Sequence, residues 1–206
     1  MKSIQHHFAM LKELISELHI PFSQKERELL EMYTSLLLQW NQKTNLTSIT
    51  NIEDIVIKHF FDSYTVVSVI HSSNYHTLID VGSGAGFPGA VIALALPSLT
   101  VTLLESNHKK IAFLLELQRV LGLNNLKVIA DRLENIIKTN GYTYDVAVSR
   151  ATFPLNKWMA WGKKLTTKHG MVIGMEGKAS DSLPPNCIRL PVKFPNGNRS
   201  LIIYST

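Results

Sequence analysis

The chain has 206 residues, 45% of them hydrophobic and 18% charged, with a formal net charge of +5. That composition suits one sizeable α/β domain and excludes a disordered chain. A single cysteine, Cys187, excludes an internal disulfide and a cysteine-rich zinc site.

Residues 1–70 read as helices. Phe22-Ser23 followed by Glu26 gives an N-cap with an acid at the third helical position. Leu29, Leu30, Tyr33, Leu36, Leu37 and Trp40 then recur at helical spacing, with Tyr33 and Trp40 expected in the core. Residues 41–51 are polar and turn-like, and 54–70 are apolar-periodic again.

From residue 77 the period changes. The runs 77–81, 99–104, 126–130, 144–149 and 170–175 are short and β-rich, and 88–96, 108–121, 132–138 and 154–165 between them read as helices. This alternation predicts a mostly parallel sheet covered on both faces. "CIRLPVKF" (187–194) and "RSLIIYS" (199–205) flank Pro195-Asn196-Gly197-Asn198, a hairpin signal, so the sheet is expected to end in an antiparallel pair. The expected organisation is an N-terminal helical extension (1–70) packed on an α/β core (71–206). No Lys/Arg-led apolar stretch opens the chain, and its apolar runs are too short for a bilayer. A soluble cytoplasmic protein without a signal peptide is expected, and no apolar helix seam demands a dimer, so a monomer.

Charge is unevenly placed. Residues 1–60 carry six Lys/Arg against seven acids, and residues 150–206 carry nine against two. Such an excess attracts a polyanion such as RNA, or is simply a solvated basic face. Lys58, His59, Lys109, Lys163, Lys164 and Lys178 are candidate phosphate contacts. The eight histidines show no metal-ligand spacing, so no metal is expected.

"TLIDVGSGAGFPGAVIALAL" (77–96) places Gly82, Gly84 and Gly86 at the carboxyl end of the first strand, where a doubly wound sheet binds ligands. Two readings compete. Gly84, Gly86 and Gly89 satisfy the dinucleotide pattern G-x-G-x-x-G, whereas Gly82, Gly84 and Gly86 behind Asp80 satisfy G-x-G-x-G. Glu105, ending the second strand, can accept both ribose hydroxyls in either case. Asp80 and the terminal hairpin favour the second pattern, which resembles the first motif of the Rossmann-like class I S-adenosylmethionine-dependent methyltransferases. That resemblance brings the glycine turn to the methionine part of the cofactor and Asp80 close to its ammonium group.

Further stretches narrow the resemblance. "LLLQWNQKTNLTSI" (36–49), "KHFFDS" (58–63), "IDVGSGAGFPG" (79–89), "TLLESNHKKIAFL" (102–114), "DRLE" (131–134) and "VSRA" (148–151) are together similar to the ribosomal RNA small subunit methyltransferase G (glucose-inhibited division protein B) family. The resemblance implies a seven-stranded sheet, S-adenosyl-L-methionine as cofactor, and methylation of N7 of guanine 527 in 16S ribosomal RNA. It implies that Gly82 and Phe87 border the cofactor, that Leu133 and Glu134 flank the adenine, and that Arg150 faces the methyl-donor end. Leu133 stands where the family often has a small residue, and Asp131 receives no role. Arg150 has a competing reading as a structural ion pair with Glu134 or Asp145. No catalytic base is nominated, because guanine N7 carries a free lone pair at neutral pH. The rival functions are a methyltransferase acting on another RNA, a small molecule or a protein, a nicotinamide oxidoreductase, and an RNA-binding module with a disused pocket.

Overall fold

The computed structural model describes residues 4–139, 143–177, 182–195 and 197–205. Lys178 and Asn196, singled out above, lie outside them.

The chain opens with α1 (Ile4–Glu17) and α2 (Gln24–Thr44). The capping box at the start of α2 forms as expected. Ser23 Oγ accepts the Glu26 N–H at 3.1 Å, and the Glu26 carboxylate accepts the Ser23 N–H at 2.7 Å. The expected turn at 41–51 begins later, because α2 runs on to Thr44 and turns at Asn45, whose φ is +50°. Asn41 is satisfied inside the helix. Its side chain donates to the Thr47 carbonyl at 2.8 Å and accepts the Thr47 N–H at 2.9 Å.

The apolar-periodic segment 54–70 is helical but not uniformly α. α3 (Ile52–Ile55) runs into a π-helical turn, Val56–Phe61, and then α4 (Asp62–Ile70). The Asp62 N–H reaches back to the Ile57 carbonyl, the five-residue spacing of a π turn. Such turns gather at functional sites, and this one carries His59 and leads directly into Asp62.

The core follows in alternation: β1 (Thr77–Val81), α5 (Gly89–Ala95), β2 (Thr100–Glu105), α6 (His108–Leu121), β3 (Leu126–Ala130), α7 (Leu133–Lys138), β4 (Tyr144–Arg150), α8 (Leu155–Leu165), β5 (Thr166–Glu176), β6 (Ile188–Phe194) and β7 (Gly197–Ser205). The seven strands lie in the order β3-β2-β1-β4-β5-β7-β6. The first five in that order are parallel, and β7 runs antiparallel between β5 and the edge strand β6. β7 takes in Asn198, which the sequence pattern left in the turn.

Side-chain alternation divides the core in two. Leu78, Val101, Leu103, Val146 and Val148 face the helical extension, α5 and α6, while Ile79, Val81, Leu104, Ala147 and Val172 face α7 and α8. Phe8, Leu11, Leu30 and Leu37 of the extension lie in the same buried cluster as the sheet and α5. The chain leaves β1 towards β2 and β3, then returns on the other side of β1 to β4. That reversal opens a crevice at the carboxyl ends of β1 and β4.

Candidate active site

The crevice is a cleft of about 600 Å³, within the range of small-molecule sites. Its floor is the turn after β1. Gly82, Gly84 and Gly86 have φ of +72°, +60° and +91°, a region open to glycine without steric cost. The turn is held from three sides. The Gly82 N–H donates to the Leu104 carbonyl at 2.8 Å, the buried Tyr33 hydroxyl donates to the Ala85 carbonyl, and the Gly84 N–H donates to Glu105 Oε2 at 2.9 Å. Glu105 Oε1 accepts the Ser106 and Asn107 N–H groups.

Of the residues expected at a site, Gly82, Gly84, Phe87, Glu105, Leu133, Glu134 and Arg150 all border this one cleft. Asp80 does not. It lies fully buried behind the turn, where Oδ2 accepts the Gly89 N–H at 2.8 Å and Oδ1 has no hydrogen-bond partner among the described residues. Burial raises its pKa to about 7, while the Gly89 N–H and the Arg150 charge pull the other way.

Phe87 forms one wall. It stacks with Tyr33 at 5.1 Å and with His59 at 4.3 Å between ring centroids, with the Arg150 guanidinium 5.5 Å from the Phe87 centroid. Arg150 ends β4 and is tethered to the helical extension. Its Nη1 donates to the Lys58 carbonyl at 2.9 Å and to Asp62 Oδ2 at 3.3 Å. The same oxygen accepts from Arg199 Nη1 at 2.9 Å. The ion pair of Arg150 is therefore with Asp62, and not with Glu134 or Asp145. Asp145 is taken by the His76 and Thr77 N–H groups and the Thr77 hydroxyl, which pin the start of β1 to β4.

His59 is corrected too. It is 5% exposed, so it is no surface phosphate contact. Its Nε2 lies 3.2 Å from Thr47 Oγ1. Burial, and then the Arg150 charge, lower its pKa to about 3, so the imidazole is neutral at physiological pH. Lys58 is drawn to Asp54 at 2.8 Å.

Several bordering residues carried no assigned role in the sequence. Thr152 packs where a Cβ on Gly82 would fall. Asp131 borders the cleft, its Oδ1 accepting from the Arg132 N–H and from Asn135. Leu46 and Thr47, beside His59, bring the helical extension to the cleft. The signal for them was the Asn41-to-Thr47 stretch, whose side-chain clamp holds that turn in place. Among the described residues no group of three or more His, Cys, Asp or Glu is placed to hold a metal.

The strand order, the glycine turn ending β1 and the acid ending β2 define a Rossmann-like class I S-adenosylmethionine-dependent methyltransferase fold. A solved structure of precorrin-6y C5,15-methyltransferase from Geobacter metallireducens GS-15 superimposes with a TM-score of 0.53 at 9% identity, over 70% of this chain and 87% of its own length.

The family model for rRNA small subunit methyltransferase G matches residues 26–182. A ribosomal RNA small subunit methyltransferase G from Syntrophus aciditrophicus is 39% identical over 171 residues, 82% of this chain and 70% of that one. Another from Francisella tularensis subsp. novicida is 33% identical over 200 residues, 94% of each. The chain belongs to the rRNA small subunit methyltransferase G family.

Proposed function

We propose that the protein transfers the methyl group of S-adenosyl-L-methionine to N7 of a guanine in 16S ribosomal RNA, guanine 527 in the decoding region of the small subunit. It acts as a cytoplasmic monomer. No described helix is long and apolar enough to cross a membrane.

The cleft fits such a cofactor. A Cβ at Gly84 would meet nothing nearer than 3.9 Å, so the turn leaves open space where a ligand can approach the backbone. Glu105 would hold the ribose, Leu133 and Glu134 the adenine, and Gly82, Gly84, Phe87 and Arg150 the methionine end. Asp80, which does not border the cleft, would act on the ligand's ammonium through its field across the glycine turn. When bound, the cofactor supplies an electrophilic methyl on a sulfonium.

The observation that carries the reading is the state of the groups gathered around Phe87. His59, the histidine bordering the cleft, is held neutral with a pKa near 3, too weak a base to remove a proton at neutral pH. Arg150 beside it is a guanidinium, which does not serve as a base. A wall of this kind suits a nucleophile that already has a free lone pair, as guanine N7 has. The site's task is then alignment, and the tether of Arg150 to Lys58 and Asp62 fixes one side of it. N7 lies on the major-groove edge, which is inaccessible in an A-form duplex, so the target sits in a loop or an opened helix.

The test uses small ribosomal subunits from cells lacking this enzyme, methyl-labelled S-adenosylmethionine, and strand cleavage at N7-methylguanine. Label at a single guanine of the decoding region is the expected result. Absence of transfer with S-adenosylhomocysteine still bound would discard the substrate and point to another RNA or a small molecule.

A further inference from the structure

α8 carries Lys157, Lys163 and Lys164 and no acidic residue. All three lysines are exposed. Elsewhere among the described residues, Arg27, Lys58, Arg119, Arg150, Arg189 and Arg199 are each drawn to a carboxylate. Two of the α8 lysines meet rings instead. Lys157 Nζ lies 4.3 Å from the Trp161 ring centroid and Lys163 Nζ lies 3.6 Å from that of Tyr204. A ring positions an ammonium without cancelling its charge.

Lys157, Trp161 and Lys164 fall at helical positions i, i+4 and i+7, which share one stripe of the helix surface. The stripe joins the cleft through Phe153, which borders the cleft and meets Trp161 edge-on at 5.1 Å. The stripe, with Lys157 held on Trp161 and the exposed Lys164 one turn beyond, thus leads away from the cleft along the outer face of α8.

We propose that this outer face of α8 is the docking surface for the RNA strand next to the target nucleotide, with Lys157 and Lys164 on phosphates and the Phe153–Trp161 pair beneath an unpaired base. The proposal rests on the reading of RNA as the substrate. Charge complementarity selects the occupant, since the face presents cations without neighbouring acids on the helix, and single-stranded RNA offers both phosphates and unstacked bases.

The test is binding of protein-free 16S ribosomal RNA to the full chain across a salt series, for wild type, Lys157→Glu/Lys164→Glu, and the control Lys12→Glu/Lys25→Glu. The control makes the same charge change on exposed lysines of α1 and α2. The α8 pair is expected to weaken RNA binding about tenfold or more and to flatten the dependence of log affinity on log salt by about 1.5, the loss of two phosphate contacts. S-adenosylhomocysteine affinity stays within about twofold of wild type, which reports an intact fold. Unchanged RNA affinity, or an equal loss in the control pair, overturns the proposal. Loss on intact subunits but not on protein-free RNA also overturns it, in favour of an acidic protein partner. A wild-type protein that binds RNA through α8 yet transfers no methyl to it sinks the substrate reading and leaves the surface standing.

Discussion

Arg150 and Asp62 meet at 3.3 Å across 88 residues of chain, and the contact ties the end of β4 to the helix that follows the π turn. Asp62 has a side chain only 3% exposed, and it also holds Arg199. Burial raises its pKa, while the two guanidinium groups oppose that rise. Removing Asp62 leaves two arginines facing a vacated site. Because their side chains remain 20% and 28% exposed, the loss belongs at the lower end of the range for a broken buried pair, about 3 kcal/mol. Asp62→Ala should show this in urea unfolding at pH 7, together with weaker S-adenosylhomocysteine binding as Arg150 loses its anchor. A loss below about 1 kcal/mol would put the contact on a par with an exposed pair.

Two glycines of the same turn should respond differently to alanine. At Gly84 the φ is +60° and the space ahead is open, so Gly84→Ala costs only the left-handed strain, about 1–2 kcal/mol. Its methyl would then stand in the cleft and weaken cofactor binding. At Gly86 the φ is +91° and a Cβ would lie 2.5 Å from the Tyr33 hydroxyl, with Ala90 and Leu114 close behind. Overpacking adds to strain there, giving about 3 kcal/mol or more. Urea midpoints combined with ligand titration separate the two, and the reverse ranking would contradict the geometry.

The strands and helices were legible because their periods differ. Residues 77–81, 108–121 and 126–130 form their elements with the bounds the pattern gave. β5 is longer than expected because Thr166 at its start already pairs with Tyr144 of β4, before the apolar run begins. The π turn could not be read, since 54–70 stays apolar through it and only the backbone spacing changes. Seven of the eight residues expected at a site reach one cleft because they end strands or follow them, which is a matter of topology. The partner of Arg150 was beyond reach, because a pair 88 residues apart leaves no local spacing. Asp80 was read on the first strand just ahead of the glycines, where it lies, but its burial depends on how the start of α5 docks against it.

His59 supplies a pH test with a definite sign. Its folded pKa is lowered to about 3 by burial and by Arg150. Below the unfolded value near 6.5, the unfolded chain binds the proton that the folded chain refuses. Stability is therefore lost as pH falls from about 6.5 towards 3, by up to about 1.4 kcal/mol per pH unit relative to His59→Gln. The His59 imidazole resonances should not titrate between pH 5 and 8 in nuclear magnetic resonance spectra. A midpoint near 6.5 would show the ring to be solvated.

Asp80 gives the opposite sign. Its folded pKa is raised to about 7 from an ordinary value of 3.8. Between those values the unfolded chain has released the proton and the folded chain keeps it. Stability therefore falls as pH rises through this window, by up to about 1.4 kcal/mol per unit, and levels off above 7. Asp80→Asn can still accept the Gly89 N–H and has no proton to lose. Urea unfolding at pH 5, 6, 7 and 8 should show the variant gaining on wild type up to pH 7 and then holding constant. A flat difference would mean that Asp80 is ionised in the folded protein. The same carboxyl reports on the ligand, since an ammonium within its field lowers its pKa. Titration of S-adenosylhomocysteine at pH 7 in buffers of different ionisation enthalpy should then record proton release by wild type and not by Asp80→Asn. Equal release by both proteins would separate Asp80 from the ammonium.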